Sequence, residues 1–137
     1  MSTDKLNLIA KKLCEKPKGI LAADESTNTI KKRFDSINVE SNFEMRRAYR
    51  ELLFKTPNLK NFISGVILFD ETIRQEDSEK TSLAKYLLDN DIIPGIKVDT
   101  GAIRLEKNSQ EKLTEGLDGL GKRLEEYKSL GASFTKW

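Results

Sequence analysis

The chain has 137 residues, 37% of them hydrophobic and 34% charged, which supports a folded core in one domain or in part of a larger one. Its formal net charge of +2 gives no general attraction to nucleic acid, so we expect no nucleic-acid partner. A single cysteine, Cys14, and the lack of histidine exclude an intrachain disulfide, histidine-dependent nucleophiles and histidine–metal sites within this chain.

The first part of the chain predicts a helix, a strand and a second helix. An apolar stripe with helical spacing lies between a cap at Ser2 or Thr3 and the stop signal Pro17. The uninterrupted apolar run at 19–22 predicts the first strand, and after a polar loop a helix is expected over about 29–37. The stripe residues are Leu6, Ile9, Ala10 and Leu13.

The middle of the chain predicts two more strands, each preceded by a helix. Residues 41–44, Ser-Asn-Phe-Glu, are typical of a capping box, and apolar residues at helical spacing follow. The run 66–69 predicts the second strand. Thr81 or Ser82 then caps another helix, and the run 93–98 predicts the third strand.

The last part of the chain predicts a helix and a fourth strand. The polar stretch 100–116 is compatible with a short hairpin around Lys107 and Asn108. A final helix follows, with Gly131 suited to its left-handed cap, and a strand begins at Ala132. The residues that mark this helix are Leu117, Leu120, Leu124 and Tyr127.

Strands that alternate with helices predict a parallel sheet with right-handed crossovers, in the α/β class. Four strands are about half of an eight-stranded (β/α)₈ TIM barrel. The apolar strands at 19–22 and 134–137 would then lie at unpaired sheet edges, which invite aggregation. We therefore expect residues 1–137 to be the amino-terminal half of one barrel domain, without an internal boundary. A complete small open sheet is the alternative.

Three charged residues stand where apolar strands end. They are Asp24, Lys97 and Lys136. A charge embedded in such a run is costly unless it is paired or takes part in chemistry. Their positions suggest an active site at the carboxyl ends of parallel strands. The structural alternatives are a loop cap for the aspartate and lysines that extend from the strand ends to water.

Seven motifs follow one another along nearly the whole chain. They are Lys18-Gly19-Ile20-Leu21-Ala22-Ala23-Asp24-Glu25-Ser26-Thr27, Lys32-Arg33-Phe34, Arg46-Arg47-Ala48-Tyr49-Arg50, Ser64-Gly65-Val66-Ile67-Leu68-Phe69, Ile93-Pro94-Gly95-Ile96-Lys97-Val98-Asp99, Gly116-Leu117-Asp118-Gly119-Leu120 and Phe134-Thr135-Lys136-Trp137. This ordered series closely resembles class I fructose-bisphosphate aldolase.

The resemblance implies a (β/α)₈ barrel that reversibly cleaves fructose 1,6-bisphosphate into dihydroxyacetone phosphate and glyceraldehyde 3-phosphate, without a metal or other cofactor. A lysine of the family forms a Schiff base with the substrate ketone, and the iminium draws electrons as the carbon–carbon bond breaks. That lysine is expected on a later strand, beyond Trp137, so this chain alone is not expected to complete the reaction.

The resemblance also assigns catalytic roles. Asp24, Lys97 and Lys136 match family active-site residues at the ends of strands. A carboxylate there can stabilise an ammonium or iminium group and orient a substrate hydroxyl. The two ammonium groups can help keep a third lysine neutral, and each can donate to substrate hydroxyls or phosphates.

Substrate-binding roles are carried over to the loop and helices as well. Ser26 and Arg33 match phosphate ligands of the family, and Thr29 stands where many members have serine. Hydroxyl, guanidinium and backbone N–H groups at the start of a helix suit a phosphate. Arg46 is a weaker substrate-binding assignment, since an Arg-Arg pair on a helix is usually a surface feature.

Other readings stay open on the sequence. A related Schiff-base aldolase for another sugar phosphate is one, and a non-catalytic half-barrel that binds phosphate is another. The family is commonly tetrameric or dimeric, so we expect a homo-oligomer for the full-length protein. The first residues lack the apolar segment of a secretory signal, and no apolar run approaches membrane-spanning length, which favours the cytoplasm.

Overall fold

Six helices and six strands make up the regular structure of the described part of the chain, residues 3–108 and 110–137 of a computed structural model. The helices are α1 Thr3–Leu13, α2 Thr27–Asp35, α3 Phe43–Phe54, α4 Asp70–Ile73, α5 Leu83–Asp89 and α6 Leu120–Ser129. The strands are β1 Gly19–Ala23, β2 Ile63–Leu68, β3 Ile93–Lys97, β4 Gly101–Arg104, β5 Lys112–Glu115 and β6 Phe134–Lys136. A short 3₁₀ helix, Leu59–Asn61, precedes β2.

The four strands predicted from the apolar runs form one parallel sheet, in the order β1-β2-β3-β6. This confirms the α/β class and the parallel topology. All four strands point the same way, so their carboxyl ends meet at one edge of the sheet. In the pairing of β3 with β6, Lys97 lies opposite Lys136.

The core lies over the two central strands. Leu68 of β2 and Ile96 of β3 are almost completely buried, and Leu87 of α5 packs into the same cluster. Ile20 of the outer strand β1 is 46% exposed, although the two isoleucines belong to similar apolar runs. A strand with sheet neighbours on both sides and a helix on its face loses more contact with water than an edge strand.

The glycine of β3 permits a close approach between β3 and β6. A Cβ atom at Gly95 would overlap the aromatic ring of Phe134 on the neighbouring strand. Glycine at this position therefore lets an aromatic ring lie against the strand backbone. The glycine of the predicted run 93–98 thus has a packing role.

The hairpin compatible with the polar stretch 100–116 is present. Strands β4 and β5 pair antiparallel, with Gly101 opposite Glu115 and Arg104 opposite Lys112. Both strands are mostly exposed and make no pairing with the parallel sheet. The hairpin therefore leaves the sheet after β3 and returns before α6.

Several predicted boundaries were wrong. Helix α2 begins at Thr27 rather than near residue 29 and ends at Asp35. The cap of α3 is Asn42 rather than the serine of the capping box, since its side chain accepts from the Met45 N–H at 2.9 Å. Helix α6 starts at Leu120, because Gly119 adopts a positive φ of 67° immediately before it. Leu117, expected on that helix, is exposed instead.

Two other predicted helix caps were confirmed. Ser82 caps α5 by accepting from the Lys85 N–H. Gly131 has a positive φ of 107° after α6, as its predicted cap role requires. The short helix α4 was not predicted. The Ser2 part of the first cap prediction lies outside the described residues. No helix among those residues is long and apolar enough to span a membrane.

Candidate active site

A cavity of about 1070 Å³ lies at the carboxyl ends of the parallel strands. The cavity is lined by the carboxyl-terminal ends of β1, β3 and β6, the segment after β2, the start of α2 and part of α6. The lining residues include Asp24, Glu25, Ser26, Thr29, Arg33, Asp70, Arg74, Lys97, Asp99, Arg123, Glu126, Tyr127 and Lys136. The cavity thus brings together the predicted site residues other than Arg46.

Lys136 and Asp24 form an ion pair between the carboxyl ends of the two edge strands of the sheet. The Nζ atom of Lys136 donates to Oδ2 of Asp24 at 2.8 Å, and the aspartate is 7% exposed. Their strands, β1 and β6, are the two edges of the sheet. In a flat sheet, three interstrand spacings of about 4.8 Å would separate these strands by about 14 Å. The contact therefore shows that the carboxyl ends curve toward one another, as in part of a barrel wall.

Lys97 is held by the residue that follows its strand by two positions. Its Nζ donates to the Asp99 carboxylate and, at 3.1 Å, to the Asp99 backbone carbonyl. The same carboxylate accepts from the Gly101 N–H at 3.1 Å, where β4 begins. Asp99 therefore connects the lysine at the cavity to the base of the hairpin.

Two hydroxyl groups face each other at the start of α2. The Oγ atom of Ser26 and the Oγ1 atom of Thr29 lie 3.1 Å apart. Ser26 occupies the N-cap position, yet its side chain makes no capping hydrogen bond. The serine hydroxyl is therefore not committed to the helix, and it lies with the threonine hydroxyl at the cavity wall.

Arg33, one turn further along α2 from Thr29, makes an ion pair with Glu25. The other oxygen of the same carboxylate accepts from Arg50 of α3, which is 2% exposed. Burial alone would raise the pKa of Glu25, but hydrogen bonds and the positive charges of the two arginines outweigh this and lower its pKa. Glu25 is therefore ionised at neutral pH.

The cavity lining contains a second charged cluster. Arg74 pairs with Asp70 and Glu126, and the hydroxyl of Tyr127 donates to Oδ1 of Asp70 at 3.0 Å. Burial, together with its hydrogen bond to Asp70, raises the pKa of Tyr127. Arg123 donates to the backbone carbonyls of Val98 and Gly116, which fixes both ends of the hairpin to α6.

The cationic side chains of the cavity are already occupied by protein groups. Among the described lining residues, four cations pair with carboxylates and Arg123 donates to backbone carbonyls. An anionic ligand must therefore compete with protein carboxylates for these donors. The exposure of each cation decides how easily it can change partner, and the side chain of Arg33 is 59% exposed.

Arg46 is placed differently from the other predicted site residues. It lies on α3, and its guanidinium donates through two nitrogens to Glu71, at 2.7 Å each. This bidentate pair raises the pKa of Arg46. It also donates to the Ser41 carbonyl, and it is not among the residues that line the cavity. Its substrate-binding role stays a prediction.

Sequence reasoning assigned no role to several charged residues of the site or its support. They include Glu25, Arg50, Asp70 and Asp99, and also Arg74, Arg123 and Glu126. Glu25 stands directly between Asp24 and Ser26 in a quoted motif, and Asp99 follows Lys97 by two positions in another, which was a usable signal. Arg50 gave none, because a charge on a helix normally faces solvent. The described residues hold no cluster of histidine, cysteine, aspartate and glutamate that could bind a metal ion.

Comparisons with known proteins agree with one another. The family model described as fructose-bisphosphate aldolase class-I matches residues 5–137. A "Probable fructose-bisphosphate aldolase class 1" from Xanthomonas campestris is 56% identical over 137 residues, which are 100% of this chain and 41% of that relative. A fructose-bisphosphate aldolase from Plasmodium falciparum isolate 3D7 is 51% identical over 134 residues, 98% of this chain and 36% of that relative.

A solved structure gives the same picture for the fold. The fructose-bisphosphate aldolase from Plasmodium falciparum, in complex with TRAP and a small molecule inhibitor, matches with a TM-score of 0.94 and 51% identity. The match covers 98% of this chain and 39% of that one. The four parallel strands are thus consistent with the amino-terminal part of a TIM barrel. The chain spans about two fifths of the length of the curated relatives it matches.

Proposed function

Because this chain belongs to the class-I fructose-bisphosphate aldolase family, we propose that it forms one half of an aldolase active site and works as the amino-terminal half of a single barrel domain. The complete enzyme reversibly cleaves fructose 1,6-bisphosphate into dihydroxyacetone phosphate and glyceraldehyde 3-phosphate. One observation carries the proposal: Lys97 and Lys136 lie side by side on adjacent strands, and Lys136 contacts Asp24 within one cavity.

In this proposal, Lys97 and Lys136 influence the protonation of the Schiff-base lysine. Two ammonium groups at one cavity disfavour the charged form of a further lysine, which keeps that lysine nucleophilic toward the substrate ketone. The Schiff-base lysine itself belongs to the remainder of the barrel. Asp24 limits the repulsion by pairing with Lys136, and it orients a substrate hydroxyl beside the iminium.

The start of α2 binds one phosphate of the substrate. Ser26 and Thr29 offer two hydroxyl groups 3.1 Å apart, and Arg33 offers a guanidinium one turn further along the same helix. The backbone N–H groups of the first turn add donors, and the helix dipole favours an anion there. This geometry supports a phosphorylated sugar over an unphosphorylated one.

A chimera tests the reaction without assuming what lies outside these residues. Residues 1–137 replace the matching segment of the Xanthomonas campestris relative, and cleavage of fructose 1,6-bisphosphate is measured in EDTA. We expect metal-free cleavage and an adduct that borohydride traps. Asp24→Asn and Lys136→Met should each lower kcat/KM by about 100-fold or more, the usual loss for a preorganised polar group. Lys128→Met on the exposed face of α6 is the matched control.

A different outcome would reject this function. Cleavage that requires an added divalent metal, with no adduct trapped by borohydride, contradicts a Schiff-base mechanism. Full activity of Lys136→Met contradicts the role given to the cavity. A chimera that binds phosphate at α2 but never cleaves the sugar favours a phosphate-binding module instead.

The second candidate is a Schiff-base aldolase for another sugar phosphate. It is favoured by the groups at the start of α2, which among the described residues suit one phosphate. The kcat/KM ratio for fructose 1,6-bisphosphate and fructose 1-phosphate separates the two. A strong preference for the monophosphate favours the second candidate, and a preference for the bisphosphate favours the first.

We also propose that the complete enzyme is a cytoplasmic homo-oligomer that needs no metal or other cofactor and binds neither nucleic acid nor membrane. Family resemblance supports the oligomer. Light scattering on the complete protein gives its oligomeric state, and a monomer at micromolar concentration would contradict this proposal.

A further inference from the structure

Glu25 joins two arginines that differ greatly in exposure. Its Oε1 atom accepts from Arg33, and its Oε2 atom accepts from Arg50. The side chain of Arg50 is 2% exposed, whereas that of Arg33 is 59% exposed. The Glu25 carboxylate is therefore shared between Arg50, which is buried, and Arg33, which is in contact with solvent.

The buried partner is held by several contacts. Arg50 also donates to the backbone carbonyl of Glu25 at 3.0 Å, and its guanidinium lies 5.4 Å from the centre of the Tyr49 ring. Breaking these contacts would leave a buried charge without a partner, which is costly. Arg50 therefore keeps Glu25 in place and ionised whatever Arg33 does.

The exposed partner stands beside the hydroxyl pair. Arg33 follows Thr29 by four residues on α2, so both side chains lie on the same side of the helix and line the same cavity. Within the described chain, Glu25 is the group that accepts from its side chain. A guanidinium carries five N–H donors. It can turn from a carboxylate to a phosphate at modest cost because solvent reaches it.

We propose that Glu25 holds Arg33 while the phosphate site is empty and releases it to the phosphate of the substrate, Arg50 alone keeping Glu25 in place. This exchange rests on the phosphate site of the proposed function. It makes Glu25 a specificity-determining residue. A phosphate dianion competes successfully with a carboxylate for Arg33, and a neutral hydroxyl does not.

The first test uses Glu25→Gln, which removes the competing charge and keeps an oxygen for Arg50. Inorganic phosphate is titrated into the 137-residue chain, and the Kd is read from chemical shifts of Ser26, Thr29 and Arg33. We expect the Kd to fall by about twofold to fivefold, the range of a partly exposed ion pair. In an Arg33→Ala background, Glu25→Gln should leave the Kd unchanged. Glu125→Gln, an exposed change on α6, is the matched control.

A second measurement needs no variant. In the wild-type chain, phosphate should shift the Nε–H signal of Arg33 and the carboxyl carbon of Glu25, while the Nε–H signal of Arg50 stays in place. In the chimera described above, Glu25→Gln should lower the KM for fructose 1,6-bisphosphate by a factor similar to that seen for phosphate. The two readouts together separate an exchange of partners from a change in folding.

Three results would overturn the exchange. Weaker phosphate binding by Glu25→Gln would mean that the carboxylate positions Arg33 for the ligand. Equal tightening with and without Arg33 would mean that Glu25 acts only as a nearby negative charge. Wild-type chain that shows no phosphate response at α2 would overturn the phosphate site of the proposed function, and the exchange with it. The first two results leave that site standing.

Discussion

Strands β2 and β3 have sheet neighbours on both sides and helix α5 packed against them, whereas β1 and β6 have one neighbour each. We call the first pair, with α3 and α5, the covered region, and the second pair, with the β4–β5 hairpin, the open region. Leu68 in the covered region is fully buried, and Ile20 in the open region is 46% exposed. Similar apolar sequences thus differ in burial according to their place in the sheet.

The comparison also separates two kinds of charged group. Arg50 of the covered region is buried and held on Glu25, and Arg33, reaching the same carboxylate from outside, is mostly exposed. A buried ion pair whose partner is removed leaves an unsatisfied charge, whereas an exposed one exchanges with water. The covered region therefore fixes positions, and exposed groups around the cavity remain free to change partners.

The largest expected effect comes from truncating the covered core. Leu68→Ala in β2 should lower the free energy of unfolding by about 2–5 kcal/mol, because a fully buried leucine leaves a cavity. Ile20→Ala in β1 removes as many carbon atoms from a half-exposed position and should cost about 1 kcal/mol or less. Urea unfolding followed by circular dichroism measures both. Equal losses would remove the distinction between the two regions.

The next effect concerns the two arginines of Glu25. Arg50→Ala should destabilise the chain by about 3 kcal/mol, at the lower end for a broken buried pair since Arg33 still neutralises the carboxylate. Arg33→Ala should change stability by about 0–1 kcal/mol. The same unfolding experiment decides between them. A larger loss from Arg33→Ala would show that exposure is a poor guide to the strength of these pairs.

A smaller effect is expected from adding one methyl group to a strand glycine. Gly95→Ala in β3 places a Cβ against the Phe134 ring and should cost about 2 kcal/mol through overpacking. Gly19→Ala in β1 meets no atom within 4 Å and should be nearly neutral. Thermal unfolding of the two variants gives the contrast. A neutral Gly95→Ala would mean that the ring can shift without loss of packing.

The smallest effect is a pH dependence at the edge of the covered region. Hydrogen bonds from Ser78, aided by those from Lys55 and Arg47, lower the pKa of Glu51 to about 2 from its ordinary 4.5. Its contribution to stability is therefore complete above pH 4.5 and lost as the pH falls toward 2.

Glu51→Gln should flatten that part of the stability curve by about 1 kcal/mol, because the carboxylate still contacts solvent. The measurement is urea unfolding at a series of pH values, with the exposed Glu115→Gln of β5 as control. An acid-induced loss that is the same in wild type and Glu51→Gln would assign it to other carboxylates.

Much of the fold followed from patterns along the chain. The uninterrupted apolar runs predicted all four parallel strands to within about three residues at either end, an accuracy typical of boundary predictions. The polar stretch around Lys107 and Asn108 was considered compatible with a hairpin, and the structure has one there. The errors concern where helices begin, which depends on individual hydrogen bonds and backbone angles. Asn42 rather than Ser41 caps α3, and the positive φ of Gly119 delays α6 beyond Leu117.

The sequence predicted which residues form the site, but not which of them contact one another. Asp24, Lys97 and Lys136 stand at strand ends in the sequence, and the structure places them at one cavity. Nothing in the sequence shows that Lys136 contacts Asp24 rather than the adjacent lysine. Arg46 was expected near the substrate, and its bidentate contact with Glu71 depends on how α3 lies against the short helix α4 after β2.

The sequence by itself determined the alternation of strands and helices, the charged residues at the strand ends and the family, because these depend on local periodicity and on motifs in order. Tertiary structure alone decided which charges meet. The 2.8 Å contact between Lys136 and Asp24 joins residues 112 positions apart and exists because the sheet curves. The shared carboxylate of Glu25 likewise depends on α2 and α3 approaching one loop from two sides, since burial and pairing arise from contacts that no local pattern encodes.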